Sequence, residues 1–448
     1  MSNWLIRNAR LVNEGREQEG DLRIAGNRIE AIGNDLAARP GEQVLDAHGR
    51  WLLPGMIDDQ VHFREPGLTH KGDLASESAA AVAGGITSIM DMPNTKPPTL
   101  DATALEEKYL RAAGRCRANF GFYLGASNDN LAAIQSLDPK TAPGIKVFMG
   151  ASTGNMLVDD PATLDAIFRD APTPIITHCE DTPTIDRAQA EAKARLGDDV
   201  PVSMHPDIRS REACLKSSQL AVSLAKRHGT RLHVLHISTA DELALFQSGP
   251  LLDKDGRLRK RITAETCIHF LRFAREDYAT RGNFIKCNPA IKDASDRDAL
   301  IAALANDVID VLATDHATLD EKQQPYLTAP SGLPLVQEAL VAALELVHEG
   351  HLGVTQVVQK FAHAPAQLFD VAQRGFLREG YFADLVLVDQ FTPYTVERAN
   401  VLSKCGWSPF EGTRFSSRIA ATFVNGELVW DGQRVIGEAN GQRLEFAR

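Results

Sequence analysis

The chain has 448 residues, 44% of them hydrophobic and 24% charged, enough for one large core and a smaller companion domain in an ordinary globular protein. Its formal net charge is −11 with Lys and Arg dispersed, which argues against a nucleic-acid or anionic-membrane surface. The start, MSNWLIRNARLVNEG, lacks an apolar core followed by a small-residue cleavage site, and no run is long enough to cross a bilayer, so a cytoplasmic location is the expectation.

Residues 1–53 read as short strands at 4–9, 21–25, 28–32 and 43–46, with Gly26-Asn27 as a hairpin turn. From 54 to 374, apolar β-rich runs at 87–90, 145–149, 174–177, 232–236, 261–265 and 308–313 alternate with alanine-rich helical patterns, among them 75–83, 217–228 and 333–346. Repeated strand–helix units of this length predict an α/β fold, a TIM-like (β/α)8 barrel with its chemistry at the C-terminal ends of the strands. The Pro- and Gly-rich stretches at 93–98 and 325–334 read as loops on that face. Residues 375–448 return to strand, at 383–389 and then as a hairpin at 421–430 turning on Asn425-Gly426. Neither end can cover its own apolar face, so the two are expected to combine into one small composite β-sandwich. Cys116, Cys179, Cys214, Cys267, Cys287 and Cys405 form no CxxC pair, and reduced, mostly buried thiols are expected.

Four groups of metal-ligand type stand at the ends of different predicted strands: His62, His178, His236 and Asp315. Lys146 lies in the apolar run Ile145-Lys146-Val147, where a buried ammonium is costly. A salt bridge to a neighbouring acid is one solution. Carboxylation of the amine by carbon dioxide is the other, and it produces an anion able to bridge two cations. His233 reads as an ordinary hydrogen-bonded residue and His205 as structural, while His316 is left between packing and support of the metal site. The small-residue run 150–156 reads as a loop following the Lys146 strand, and the charges at 210–212 as a solvated helix face.

Taken together, these residues resemble the cyclic amidohydrolases, and more narrowly the dihydroorotases of the long bacterial type, over nearly the whole chain. Pro54-Gly55-Met56-Ile57-Asp58 followed by Val61-His62-Phe63-Arg64-Glu65-Pro66-Gly67 is similar to the family's first-strand signature, and Asp91-Met92-Pro93-Asn94-Thr95 to its second-strand loop. The resemblance implies one or two zinc ions held by His62, carboxylated Lys146, His178, His236 and Asp315. It further implies a substrate carboxylate held by Arg64 and Asn94, and a ring amide hydrogen-bonded by Asn288. Asp315 would carry the proton during reversible opening of the dihydroorotate ring to N-carbamoyl-aspartate, a step of pyrimidine biosynthesis. A small-molecule substrate and a symmetric homodimer are the expected partners.

Two departures stand out. The family's His-x-His becomes Gln60-Val61-His62, and a glutamine carbonyl oxygen is a weaker zinc ligand than imidazole, so one metal position is expected to be loosened or empty. The loop after Asp315 runs Thr314-Asp315-His316-Ala317-Thr318, without the family's Pro-His pair and its carboxylate-contacting histidine. Besides an active dihydroorotase, three readings therefore stay open. They are a weak or inactive scaffold partnering aspartate carbamoyltransferase, a different cyclic-amide hydrolase such as an allantoinase or hydantoinase, and a non-hydrolytic binding protein.

Overall fold

The computed structural model describes residues 3–150, 156–319 and 322–448. At the N-terminus β1 (Asn3–Asn13) pairs antiparallel with β2 (Arg16–Ala25), and β2 with β3 (Arg28–Gly33) across the Gly26-Asn27 turn. Along its first half β1 runs parallel to β4 (Gln43–Asp46), and along its second half to β5 (Trp51–Pro54).

The barrel follows. Its strands are β6 (Met56–His62), β7 (Ile86–Asp91), β8 (Asn119–Phe122), β9 (Leu124–Gly125), β10 (Ile145–Phe148), β11 (Ile175–His178), β12 (Leu232–Val234), β13 (Ile262–Cys267), β14 (Val311–Ala313) and β15 (His316–Ala317). They pair in the orders β15-β6-β7-β8 and β9-β10-β11-β12-β13-β14, all parallel. Only Tyr123 separates β8 from β9, and only Thr314 and Asp315 separate β14 from β15, so the two sheets close into a barrel of eight strand positions. Side-chain oxygens of Asp73, Asp101, Asp160, Asp181 and Ser210 cap outer helices by accepting from first-turn N–H groups, which is why those helices begin where they do.

Two differences from expectation have physical reasons. The strand at 119–125 has no counterpart among the predicted runs, because Asn119, Gly121 and Gly125 carry low β propensity and only burial within the barrel holds them extended. The helix expected at 333–346 begins later, as Ala339–His348. Leu333 bridges to His316, and the Leu335 and Val336 N–H groups are spent on His316 Nδ1 at 2.9 and 3.2 Å, which leaves no helical start there.

The C-terminal strands are β16 (Leu385–Asp389), β17 (Tyr394–Thr395), β18 (Arg414–Phe415), β19 (Arg418–Val424) and β20 (Glu427–Trp430). Asn425 and Gly426 turn between β19 and β20 with φ of 51° and 80°, the left-handed pair that a two-residue hairpin loop needs. Through β5–β16 pairing, the two ends form one sheet in the order β20-β19-β16-β5-β1-β2-β3, with β4 on β1. In place of two separately bonded layers, a single sheet shares a core of Ile6, Leu22, Leu52, Leu387 and Phe423. Part of 375–448 also leaves this sheet: the tail bridges back to the barrel at Phe120↔Arg443 and Val371↔Phe446. Among the described residues, no helix is long and apolar enough to cross a membrane.

Candidate metal centre and substrate cavity

Every residue assigned a metal or substrate role from the sequence lines one cavity of about 650 Å³ at the C-terminal ends of the barrel strands. His178 ends β11, and Lys146 and Phe148 lie on the neighbouring β10, where Phe148 is registered against His178. His236 follows β12, and its φ of 42° lies in the left-handed region where a bulky side chain is strained. That turn brings His236 Nε2 to 2.9 Å from His178 Nδ1. The other nitrogen of His178, Nε2, lies 3.1 Å from Glu180, which in turn pairs with Arg209. Burial works against the Glu180 charge, but Arg209 and His178 outweigh it and bring that carboxyl down to about 2.

Burial, followed by the charges of His178 and Lys146, holds His236 far below the ordinary imidazole range, so it presents a lone pair. Burial also brings the Lys146 amine down to about 8. Two imidazoles converging on one point, one backed by a carboxylate and both beside a lysine with a weakened proton, fit a divalent cation of the zinc type.

The facing wall comes from β6 and the break between β14 and β15. Asp315 has a φ of 52°, and its Oδ1 lies 3.2 Å from His62 Nε2 and accepts from Gln60 Nε2 at 3.0 Å. His62 Nδ1 meets Asn94 Oδ1 at 2.8 Å; since that oxygen is an acceptor, Nδ1 carries the hydrogen and Nε2 faces the cavity with its lone pair. Gln60 departs from its expected role as a carbonyl ligand. Its amide N–H points at Asp315, and its Oε1 is turned toward Cys267 Sγ at 3.9 Å. An amide N–H has no lone pair to offer a cation, so in this arrangement Gln60 holds the carboxylate instead.

Above this wall sits Arg64, 8% exposed and with a φ of 69°. Its Nε donates to Thr318 O at 3.3 Å, and among the described residues no carboxylate lies within ion-pair distance of its guanidinium. The loop that carries it is fixed by its own motif. Glu65 accepts from both Arg115 terminal nitrogens, at 2.5 and 3.0 Å. Gly67, at φ 85°, packs so closely on the Asn94 loop that a Cβ there would fall 2.0 Å from Lys96 O. Asn288 Oδ1 is buried with no hydrogen-bond partner among the described residues, an acceptor waiting for a donor inside the cavity.

Of the remaining residues, His205 is structural, between Tyr326 Oη at 2.9 Å and Cys287 O at 2.7 Å. His316 supports the Asp315 turn from behind, through Glu77 at 3.0 Å. Arg211 and Glu212 are on a partly solvated face, and Arg211 also pairs with the buried Asp296. The loop at 150–156 falls mostly outside the described residues, as do positions 320 and 321 of the short loop after Asp315. Sequence reasoning missed Glu180, although it stands two residues after His178, and also Lys71 and Lys96, which line the cavity. His233, read as an ordinary hydrogen-bonded residue, does bond Thr263 Oγ1 at 2.8 Å, and its Nε2 also lies 3.3 Å from Asp59 and 3.6 Å from Glu265, all three fully buried.

Residues 51–429 match the model of the amidohydrolase family. A dihydroorotase of Halobacterium salinarum is 36% identical over 96% of this chain and 97% of its own, and one of Pelobacter propionicus 32% identical over 96% and 99%. Among solved structures, an L-hydantoinase (dihydropyrimidinase) from Arthrobacter aurescens superposes with a TM-score of 0.92 at 28% identity, covering 99% of this chain and 100% of that one. With the matched region spanning the barrel, the cavity and strands β5, β16, β19 and nearly all of β20 of the composite sheet, the chain belongs to the amidohydrolase family.

Proposed function

We propose that this cyclic amidohydrolase is a dihydroorotase, which opens and closes the cyclic amide between dihydroorotate and N-carbamoyl-aspartate. Among metal-dependent cyclic-amide hydrolases the rings differ in charge, and the observation that carries this reading is Arg64. A guanidinium buried at the cavity wall without a carboxylate partner among the described residues suits a substrate that brings its own carboxylate, as dihydroorotate does and an unsubstituted hydantoin or dihydrouracil does not. The relatives named dihydroorotase, at up to 36% identity, support the same choice.

His178, His236, carboxylated Lys146, His62 and Asp315 would hold zinc, one or two ions per chain. When bound, the metal supplies a polarised amide carbonyl and a water acidic enough to ionise near neutral pH. The chain's own residues do the rest. Arg64 and Asn94 clamp the substrate carboxylate, and Asn288 Oδ1 accepts from the ring N–H, so the scissile carbonyl faces Asp315. The Asp315 carboxylate, held by the Gln60 amide beside His62, takes the proton of the attacking water and returns it to the ring nitrogen as the C–N bond breaks. In the closing direction the same carboxylate accepts the proton from the carbamoyl nitrogen.

The test is turnover by zinc-loaded protein of dihydroorotate against dihydrouracil and hydantoin, followed by ultraviolet absorbance. A strong preference for dihydroorotate is expected, and a preference for the uncharged rings would overturn the reading. Gln60 motivates a second reading, a catalytically silent scaffold for aspartate carbamoyltransferase. Full metal occupancy with no turnover of any ring, together with co-purification of that enzyme, would favour it.

A further inference from the structure

Beneath the cavity, inside the barrel, His233 on β12, Asp59 on β6 and Glu265 on β13 point at one another, and all three are 0% exposed. The protonation of the imidazole can be read from its neighbours. Thr263 Oγ1 donates its hydrogen to Leu232 O at 3.2 Å, so it must accept from His233 Nδ1, 2.8 Å away. Nδ1 therefore carries a hydrogen, and Nε2 faces two carboxylates, which outweigh burial and push the imidazole up to about 9. His233 Nε2, both Asp59 oxygens and Glu265 Oε2 have no hydrogen-bond partner among the described residues. Glu265 Oε1 is already used, accepting from the His236 N–H at 3.1 Å.

Two buried carboxylates and an imidazole nitrogen facing one another require a positive charge among them. A proton on Nε2 would supply one, but charge-assisted N–H···O bonds run about 2.7–2.9 Å, and here the separations are 3.3 and 3.6 Å. Those separations match a different object. Ligands about 2.0–2.2 Å from a tetrahedral ion stand roughly 3.3–3.6 Å apart. One ligand atom from each of the three residues lies within 4.8 Å of the other two. The Thr263 contact on Nδ1 is the kind of outer hydrogen bond that orients a ligating histidine.

We propose that Asp59, His233 and Glu265 form a second, fully enclosed cation site that takes a divalent transition metal such as zinc, separate from the metal centre in the cavity. The ion joins β6, β12 and β13 across the barrel interior. It acts on the cavity only through position, because Asp59 adjoins Gln60 in the chain and Glu265 anchors the backbone of His236. The site is independent of which ring the enzyme opens.

The experiment is anomalous diffraction from crystals of the zinc-loaded protein, recorded on both sides of the zinc edge, with zinc content by mass spectrometry for the native protein and Asp59→Asn. The expected result is a peak bounded by His233 Nε2, Asp59 and Glu265, separate from any peak at His178 and His236, and one zinc equivalent fewer in Asp59→Asn. Zinc at the cavity ligands with none inside the triad would overturn the proposal, as would an unchanged zinc content in folded Asp59→Asn. If that variant fails to fold, the native map decides alone.

Discussion

On one side of the cavity, Lys146 and His178 lie on neighbouring parallel strands and His236 just past the end of the next, so backbone pairing and the turn at His236 set them side by side. On the other side, Gln60, His62 and Asp315 come from β6 and the broken run β14–β15, and side-chain hydrogen bonds set them: Gln60 to Asp315, and His62 to Asn94, which leaves His62 Nε2 3.2 Å from Asp315. The first wall presents lone pairs and a neutralisable amine, so it is arranged to bind an ion. The second presents a carboxylate held by the Gln60 amide with the His62 lone pair beside it, so it is arranged to move a proton. The difference suggests that the loss of an imidazole at position 60 falls on the proton-handling wall and spares the ion-binding one.

The largest expected effect tests the proton-handling wall. Asp315→Asn should lower kcat about 10²–10⁴-fold, the usual worth of a positioned acid–base group, while the protein stays folded. A loss of less than tenfold with metal retained would assign the proton to another group. Next comes the charge match. Arg64→Met should cut kcat/KM for dihydroorotate by about 10–100-fold, in line with about 1.5–3 kcal/mol for a hydrogen bond to a charged group, and leave slow turnover of uncharged rings unchanged. Equal losses on both substrate classes would mean that Arg64 shapes the loop rather than holding a carboxylate.

The ion-binding wall yields a smaller effect, read in affinity. Glu180→Gln removes the charge behind His178 and should weaken zinc binding about 10–100-fold in chelator competition. Unchanged affinity would show that Arg209 and Glu180 serve only packing. Lys146 gives this wall a pH dependence. Carbon dioxide adds only to the neutral amine, and burial brings the amine down to about 8. Below that value the neutral fraction grows about tenfold per pH unit. At fixed dissolved carbon dioxide, the initial rate of carbamate formation, which releases a proton as the N–C bond forms and is followed by carbon-13 NMR, should therefore rise steeply from pH 6 to 7 and flatten above about 8. A flat profile across that range would argue for a permanently salt-bridged lysine.

How much of this was legible in the sequence follows the same division. His178, His236 and Lys146 were readable because each sits in or directly after a short apolar run, and a parallel barrel brings such positions to one end. Arg64 and Asn94 were readable from their loops through resemblance. The direction of an amide was not: Gln60 is a lone-pair donor or an N–H donor according to what faces it, and Asp315 faces it from 255 residues away in sequence. The triad beneath the cavity was hidden for a similar reason. His233 has ordinary neighbours along its strand, and only closure of the barrel sets Asp59 and Glu265 against it. The strand at 119–125 was missed because its glycines carry no pattern, and the start of helix Ala339–His348 because a histidine side chain took the N–H groups an earlier helix would have used.

The smallest change in rate, and the sharpest comparison of the two walls, is expected from Gln60→His. The amide N–H that now steadies Asp315 would be replaced by an imidazole whose lone pair can turn into the cavity, beside His62 Nε2 and opposite His178 and His236. If the ion-binding wall already holds its metal unaided, the new imidazole should add zinc, up to one further equivalent by mass spectrometry, without raising the affinity of the first. If the native protein instead binds weakly because position 60 is a necessary ligand, the variant will show a higher affinity for the first equivalent and a parallel gain in kcat. The first outcome places Gln60 with Asp315 as part of the proton-handling apparatus; the second makes it a damaged ligand and moves the division between the walls.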